Sequence, residues 1–234
     1  MASSAEPTAD EVGYAFPALS EASAPDTRTR LLLTALDVFA SRGYEGTSIR
    51  EIERFAGVNR GLVAYHFGSK LALWRETVNW LMDRFHEEFV PHQEVFRHLS
   101  PAERERTMLG IFVRFCSKYP QFFRLLIIEG DHVSERTEWL VSEHLVPIKA
   151  FFDRLSGRLV HDDAPSESVW YFGFVGVAAT LFAVSTLSEM MFGVDGTDPD
   201  TFDTAVSVAT QVGLALPNLT EAARRRDLPA APSA

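Results

Sequence analysis

Residues 27–75 read TRTRLLLTALDVFASRGYEGTSIREIERFAGVNRGLVAYHFGSKLALWR, and this stretch decides the fold of the chain. Its first part repeats apolar residues at the spacing of one helical face, namely Leu32, Ala35, Leu36 and Phe39. Gly43 follows, where a residue in the left-handed conformation commonly ends a helix. The pattern predicts a first helix over about 28–41.

Two shorter helices are predicted after this turn. Ser48 and Glu51 have the spacing of a capping box at a helix N-terminus, and Gly57 interrupts the helix that they begin. Asn59 is a suitable cap for a third helix, which ends near Phe67. Two helices joined by a turn with glycine at its corner indicate a helix-turn-helix, whose second helix enters the DNA major groove.

The third predicted helix carries residue types that read DNA. Arginine is the usual partner of guanine and asparagine of adenine, and Asn59 and Arg60 stand at the predicted start of this helix. Leu62 can contact a thymine methyl group, and Tyr65 can reach a phosphate or a base. Lys70 begins the next helix, where lysine and free backbone N–H groups suit a phosphate.

The run from Thr29 to Leu73 resembles the N-terminal domain of the TetR family of one-component transcriptional regulators. The matching residues are Phe39, Gly43, Thr47, Ser48, Arg50, Ile52, Ala56, Gly57, Val58, Gly61, Tyr65, His66, Phe67, Ser69, Lys70 and Leu73. At Ala64 the sequence departs from the family, which often has a tyrosine there. The resemblance implies an all-α protein without enzymatic activity, in which a three-helix DNA-binding domain precedes a helical domain for ligand binding and dimerisation. The predicted DNA contacts are Thr47, Ser48, Arg50, Asn59, Arg60, Gly61, Leu62, Tyr65, His66 and Lys70.

Charge is divided unevenly along the chain. The 234 residues carry a net charge of −10, whereas residues 27–75 hold eight basic and four acidic side chains. This head is therefore +4, which leaves −14 for the rest of the chain. A basic head on an acidic body indicates one localised DNA-facing surface, whose binding weakens as salt rises.

The composition excludes several classes of protein. The one cysteine, Cys116, allows no intramolecular disulfide and no cysteine zinc cluster. No basic residue precedes Arg28, so no signal peptide is predicted and the cytoplasm is the expected location. Residues 1–26 are rich in alanine, serine, proline and acids, which predicts a disordered tail. Phosphate-binding loops, nucleophile elbows and dinucleotide fingerprints are absent, so no cofactor is expected.

Residues 76–216 are predicted to form the effector-binding and dimerisation domain. Predicted helices four to seven cover about 69–88, 101–118, 120–130 and 141–159, and Pro147 should kink the last of them. Predicted helix nine covers about 200–216 and is expected to end at Pro217, which leaves 217–234 as a C-terminal tail.

Predicted helix eight, over about 166–192, is the most apolar. Residues 169–188 contain no charge and are long enough to span a membrane. Small polar residues and glycines dilute this stretch, however, and no basic residue lies between Arg158 and Arg224 to anchor it. Burial in a homodimer, through helices eight and nine, is the preferred interpretation. The small residues expected to let a partner helix approach are Gly176, Ala179, Thr180 and Ala183.

The body is rich in phenylalanine, which is more often core than pocket. Effector sites between helices are nevertheless mostly apolar with a few polar groups. The candidate pocket residues are His86, Phe112, Arg114, Phe115, Glu129, Phe152, Tyr171 and Phe174. The acid–histidine groups Glu129-Asp131-His132 and Glu143-His144 show no zinc spacing and are interpreted as solvated helix ends, so no metal is predicted.

The sequence thus predicts a homodimeric DNA-binding repressor that a small apolar or amphipathic ligand releases from a palindromic operator. Two alternatives stay open. One is a helical small-molecule-binding protein or enzyme that has lost DNA binding, which the intact Arg60, Tyr65, His66 and Lys70 disfavour. The other is a ligand-independent DNA-binding activator, since activation and repression depend on operator position rather than on the protein sequence.

Overall fold

The computed structural model describes residues 26–156, 164–196 and 198–227, and across these ranges the chain is all-α, with no strand. The predicted tail over 1–26 lies outside the described residues, apart from Asp26, and so do residues 228–234 of the predicted C-terminal tail. The fold class predicted from the sequence is confirmed.

The helices follow one another with short connections. Their bounds are α1 Thr27–Arg42, α2 Ile49–Phe55, α3 Leu62–Phe67, α4 Lys70–Phe89, α5 Gln93–His98, α6 Pro101–Lys118, α7 Gln121–Gly130, α8 Glu135–Leu140, α9 Val146–Ser156, α10 Ala164–Ala183, α11 Ser185–Phe192 and α12 Pro199–Asp227. A 3₁₀ turn over Val90–His92 joins α4 to α5, and neither this turn nor α5 was predicted.

The chain forms two compact units. Of the described residues, those up to Asp83 together with Arg124–Val133 form the first, here called the head unit. Arg84–Phe123 with the described residues from Ser134 onward form the second, called the body unit. Both α4 and α7 therefore contribute residues to each unit.

The head unit has an aliphatic core built on α1. Asp26 caps this helix by accepting the backbone N–H of Thr29 at 2.8 Å. Apolar residues of α1 to α4 fill the core, among them Leu31, Leu32, Ala35, Leu36, Phe39, Ile52, Val63, Leu73 and Trp74. The second half of α7 belongs to this unit, since a Cβ placed on Gly43 would lie 2.9 Å from Cγ2 of Ile128. Gly43 also has a φ of 71°, so a side chain is excluded there on two grounds.

The body unit has an aromatic core centred on Phe85. Its ring centroid lies 4.9 Å from that of Phe89 and 5.1 Å from that of Phe115, and Phe122 and Phe152 lie within 6.3 Å. Offset and edge-to-face contacts of this kind add to the stabilisation from apolar burial. Cys116 is buried on the same helix as Phe115, and burial raises the pKa of its thiol, as expected for a structural cysteine.

Pro147 interrupts the predicted seventh helix, as expected, but with a different geometry. The chain forms α8, then a π-helical turn over Val141–Leu145, and then α9. Proline has no N–H group, so Pro147 cannot donate the helical hydrogen bond to the carbonyl four residues before it. The wider π-helical turn lies where this hydrogen bond is missing. Residue 159, the predicted end of this helix, lies outside the described residues.

The prediction of one helix over 166–192 was wrong. Two helices, α10 and α11, meet at Val184 with a bend of 65°. Val184, Ser185 and Thr186 lie in succession at the bend, and β-branched and hydroxyl residues of this kind favour helices weakly. Among the described residues no single helix is long and apolar enough to cross a membrane, although α10 and α11 taken together meet the criteria of length and composition.

Pro217 does not end the last helix, which corrects a second prediction. Helix α12 continues from Pro199 to Asp227. The N–H that proline lacks would have bonded to the carbonyl of Gly213, and the indole N–H of Trp170 donates to this oxygen instead, at 3.4 Å. The helix continues because the freed acceptor has another donor. Gly213 itself lies close to Leu109 and Phe174, where α12 packs against α6 and α10.

Candidate DNA-binding site

The turn into α2 is fixed by side-chain hydrogen bonds. Ser48 accepts the backbone N–H of Glu51 at 3.2 Å, and the Glu51 carboxylate accepts the backbone N–H of Ser48 at 3.0 Å. The predicted capping box is therefore confirmed. Thr47, beside it, is only 3% exposed and donates its hydroxyl to the carbonyl of Gly43 at 2.6 Å. Of the ten predicted DNA contacts, Thr47 is the one whose side chain is buried, and it stabilises the turn.

The carboxylate of Glu53 joins α2 to α3, and the sequence analysis missed this role. Glu53 is 3% exposed, and its Oε1 accepts the backbone N–H of Gly61 at 2.8 Å and that of Val63 at 3.1 Å. A charged acceptor at these orphan N–H groups caps the start of α3. The sequence carried a signal, because Glu53 falls on the same helical stripe as Ile49, Ile52 and Ala56.

Helix α3 begins later than predicted. Its N-cap is Gly61, with a φ of 91°, rather than Asn59. Asn59 and Arg60 therefore lie in the turn before the helix, and both are exposed. Glycine adopts this left-handed conformation without strain. The backbone can therefore turn sharply into α3 at Gly61, whose N–H donates to the Glu53 carboxylate.

The remaining predicted contacts are available at the surface to different degrees. Tyr65 is 80% exposed, and its ring meets that of His66 edge to face, with centroids 4.9 Å apart. Leu62 and His66 are half-buried. Arg50 and Arg60 are exposed and form no ion pair with any described residue. Their charge is therefore uncompensated, as a phosphate or a base edge would require.

Lys70 has an aromatic support that was not predicted. Its ammonium group lies 4.1 Å from the ring centroid of Tyr44, a cation–π distance. Tyr44 in turn stacks on Phe39, with centroids 5.9 Å apart. The predicted position of the lysine at the start of α4 is confirmed. The contact with the Tyr44 ring restricts the positions that the ammonium group can adopt.

Ser48→Ala tests the capping box. Loss of the cap should cost about 1 kcal/mol of unfolding free energy. The hydrogen bond from the Ser48 hydroxyl is the largest cause that lowers the pKa of Glu51, so this pKa should rise in the variant. A carboxyl with a lowered pKa stabilises the fold above its unfolded pKa and loses this effect as pH falls through its folded pKa. The variant should thus lose less stability in acid than the wild type.

NMR titration of Glu51 and thermal unfolding at pH 7 and pH 3 measure both effects. Ser41→Ala is the matched control, because the Ser41 hydroxyl donates to the Val38 carbonyl and contacts no acid. An unchanged pKa of Glu51 in the Ser48 variant would contradict the assignment.

The predicted pocket residues are distributed over both units. Phe112, Phe115 and Phe174 are buried in the body unit and pack in its aromatic core. Phe152 and Tyr171 are half-buried, and burial raises the pKa of the Tyr171 hydroxyl. His86 and Arg114 are exposed, and the guanidinium of Arg114 lies 5.3 Å from the ring centroid of Phe202. Glu129 is buried in the head unit.

Two clefts of the body unit have linings other than these residues. One, of about 500 Å³, lies between α10 and α12 and is mostly apolar, with Val177, Leu181, Val194, Ala205 and Val208 among its lining residues. The other, of about 440 Å³, is lined by Gln93, Phe96, Arg97, Arg104, Phe151 and Arg154. The described residues include no group of three histidine, cysteine or acidic side chains arranged to hold a metal ion.

By fold and site, the described part of the chain is all-helical, with a helix-turn-helix whose exposed Arg50 and Arg60 form no ion pair with the described residues. Residues 31–77 match the family model described as bacterial regulatory proteins, tetR family. The HTH-type transcriptional dual regulator CecR of Shigella flexneri is 27% identical over 141 residues, which cover 59% of this chain and 58% of CecR. The HTH-type transcriptional activator FasR of Mycolicibacterium smegmatis is 31% identical over 110 residues, which cover 47% and 49% of the two chains. The matches thus span about half the length of these curated relatives.

A solved TetR-like transcriptional regulator from Rhodococcus sp. RHA1 shares the fold. It is 19% identical with a TM-score of 0.56, and the match covers 82% of this chain and 97% of that one. The match over residues 31–77 confirms the predicted likeness of the N-terminal residues to the tetR family, and the solved structure extends the likeness in fold over most of the chain.

Proposed function

We propose that the chain is a sequence-specific DNA-binding transcriptional regulator without enzymatic activity, and that its α2–turn–α3 segment reads the operator. The observation that carries this proposal is that Arg50 and Arg60 are exposed and form no ion pair among the described residues, on a helix-turn-helix whose second helix Glu53 caps. Arg60 and Asn59 reach base edges from the turn before α3, and Lys70 and Tyr65 bind phosphates. Such a protein acts in the cytoplasm, where its operator lies.

The second part of the proposal is a homodimer that binds a palindromic operator. Helices α10, α11 and α12, with the bend between the first two, leave large apolar side chains exposed, namely Val169, Phe172, Val177, Val184, Leu187, Met190, Met191, Phe192 and Val208. An apolar surface of this extent marks an interaction site rather than a solvated face. The 500 Å³ cleft lies between α10 and α12, so side chains of a second copy have a place to insert.

The predicted small-residue surface needs one correction. Ala179 and Ala183 are buried within the protomer, so they pack inside the body unit and cannot face a partner. Gly176 is half-buried, Thr180 is exposed, and no atom lies within 4 Å of a Cβ placed on Gly176. These two residues, with the exposed Phe172, form the stripe on α10 where a partner helix approaches.

The third part concerns regulation. If an apolar or amphipathic ligand that binds the body unit changes operator affinity by some factor, operator binding must change ligand affinity by the same factor, by linkage. We propose that ligand binding lowers operator affinity and that the regulator is a repressor, since blocking a promoter needs DNA occupancy alone. A reporter gene behind the operator decides between repression and activation, because deletion of the regulator raises expression in the first case and lowers it in the second.

Arg60→Ala and Lys70→Ala test the assignment of base and phosphate contacts. Loss of a bidentate arginine–guanine contact costs about 1–3 kcal/mol and relaxes the preference at one base pair. Loss of a phosphate contact weakens binding to all sequences and flattens the salt dependence by about one unit. Arg60→Ala should therefore change which operators are preferred, whereas Lys70→Ala should change affinity and salt slope alone.

The operator is first obtained by sequencing the genomic fragments that the purified protein retains. Each variant is then titrated on the operator and on its single-base variants at two salt concentrations, with helical circular dichroism to verify folding. If Arg60→Ala weakens all operator variants equally, Arg60 contacts a phosphate and the base-reading assignment is wrong. If no genomic fragment is retained at low salt, DNA binding itself is refuted.

A further inference from the structure

The 440 Å³ cleft of the body unit is cationic, although the chain outside residues 27–75 is acidic. Three of its six lining residues are arginines, Arg97, Arg104 and Arg154, and none is acidic. Glu94 lies beside the cleft and pairs with Arg97 at 2.9 Å. The chain has a net charge of −10, so a cleft lined by three guanidinium groups differs in sign from the protein as a whole. The solubility of the protein does not require such a local concentration of positive charge.

Two of these guanidinium groups keep their charge available. The Nε of Arg104 donates to the carbonyl of Leu99 at 3.0 Å, which holds this half-buried side chain in place and leaves its terminal N–H groups to other acceptors. Arg154 is exposed and forms no ion pair with any residue in the described part of the chain. Guanidinium forks fit carboxylate and phosphate oxygens in pairs, so both side chains suit an anionic head group.

The same cleft offers aromatic surface beside the charges. Phe96 is buried and Phe151 is half-buried, and the ring centroid of Phe151 lies 6.0 Å from that of Phe89 in the aromatic core. A ligand that is only an ion would leave this surface unused, whereas a neutral apolar ligand would leave the guanidinium groups without acceptors. The volume of about 440 Å³ is within the usual range for small-molecule sites.

We propose that this cleft binds an amphipathic organic anion, in which an aromatic ring or short acyl chain lies against Phe96 and Phe151 and a carboxylate or phosphate binds Arg104 and Arg154. The site goes beyond the proposed DNA-binding function and does not depend on it.

Calorimetric titration of the full chain, without DNA, tests the site with four probes. These are 1-naphthoate, 1-naphthyl phosphate, the neutral 1-naphthalenemethanol and inorganic phosphate. Both naphthyl anions should bind at least tenfold more tightly than the neutral alcohol or the inorganic ion, and their binding should weaken as salt rises. Whichever of the two binds more tightly identifies the head group as a carboxylate or a phosphate.

Arg154→Gln should weaken binding of the naphthyl anions about five- to tenfold, since it removes one charged hydrogen-bonding partner. Arg104→Gln should weaken it at least as much, because that guanidinium is half-buried. Arg106→Gln is the matched control on the same helix as Arg104, exposed and outside the cleft lining, and should leave binding unchanged. Circular dichroism checks that each variant is folded. If the Arg104 variant unfolds, the Arg154 variant still tests the proposal, because replacing an exposed side chain should not disturb the fold.

Three results would overturn the proposal. The first is equal affinity for naphthoate and the neutral alcohol, the second is undiminished binding by Arg154→Gln, and the third is no binding of either naphthyl anion at millimolar concentration. Because DNA is absent from the titration, none of these results bears on the proposed operator binding.

Discussion

Replacing Glu53 with alanine is expected to destabilise the head unit by about 2–4 kcal/mol, since two backbone N–H groups, one of them on the buried Val63, lose a buried carboxylate acceptor. Those groups belong to Gly61 and Val63, at the start of α3. Operator affinity should fall further than the loss of folded protein explains, because the carboxylate fixes the orientation of α3 relative to α2. Glu53→Gln keeps a neutral acceptor and should lose only about half as much, since charge-assisted hydrogen bonds are roughly twice as strong.

Glu45→Ala is the matched control for this substitution. It removes the same charge from an exposed position in the head unit, so electrostatics alone should strengthen DNA binding slightly in both variants. Urea unfolding gives the stability, and amide hydrogen exchange at Gly61 and Val63 reports whether the start of α3 has opened. If Glu53→Ala bound the operator as tightly as Glu45→Ala, the carboxylate would not position the recognition helix.

The elements that sequence predicted well are those whose signals are local. The capping box at Ser48, the stop at Gly43 and the helix over Pro101–Lys118 each depend on residues within one helical turn of one another. A short-range hydrogen bond or a glycine conformation decides such features before tertiary packing acts. This is why the three-helix head and the family resemblance followed from the sequence alone.

The errors arose where a distant partner replaces a local interaction. Pro217 ends a helix in isolation, yet α12 continues because Trp170, 43 residues before Gly213, supplies the missing donor. Residues 124–133 likewise belong to the head unit, where Ile128 lies close to Gly43, a proximity that no periodicity reveals. Glu53 entered the sequence analysis only as one of the four acidic side chains of residues 27–75, although its stripe position indicated burial.

The candidate pocket shows a different limit of sequence reasoning. Phenylalanines at helical spacing are compatible with a core and with a cavity, and only packing distinguishes the two. The ring centroid of Phe85 lies 6.2 Å from that of Phe112 and 5.1 Å from that of Phe115, within the aromatic core. Of the two clefts described above, one is lined mostly by aliphatic residues and the other by three arginines with two phenylalanines and a glutamine, sets that composition could not bring together.

Gly176→Arg is expected to convert the dimer into a monomer and to weaken operator binding by about 100-fold or more. A dimer holds its second DNA-binding unit at a high effective concentration over the second half-site, and linkage of this kind contributes factors of about 10²–10⁴. An arginine between the exposed Phe172 and Thr180 would place a charge in the apolar interface. The isolated protomer has room for the side chain, because no atom lies within 4 Å of the added Cβ.

Light scattering at micromolar concentration gives the oligomeric state, and titration of full and half operators gives the affinities. Gly176→Ala controls for loss of the glycine and should keep both dimer and affinity, whereas Ala102→Arg adds the same charge at an exposed position on α6 and should change neither. In the Gly176→Arg variant, affinities for the full and half operators should become nearly equal, because one recognition helix then acts alone. A wild-type monomer at this concentration would refute the dimer, and a dimeric Gly176→Arg variant would move the interface away from this stripe of α10.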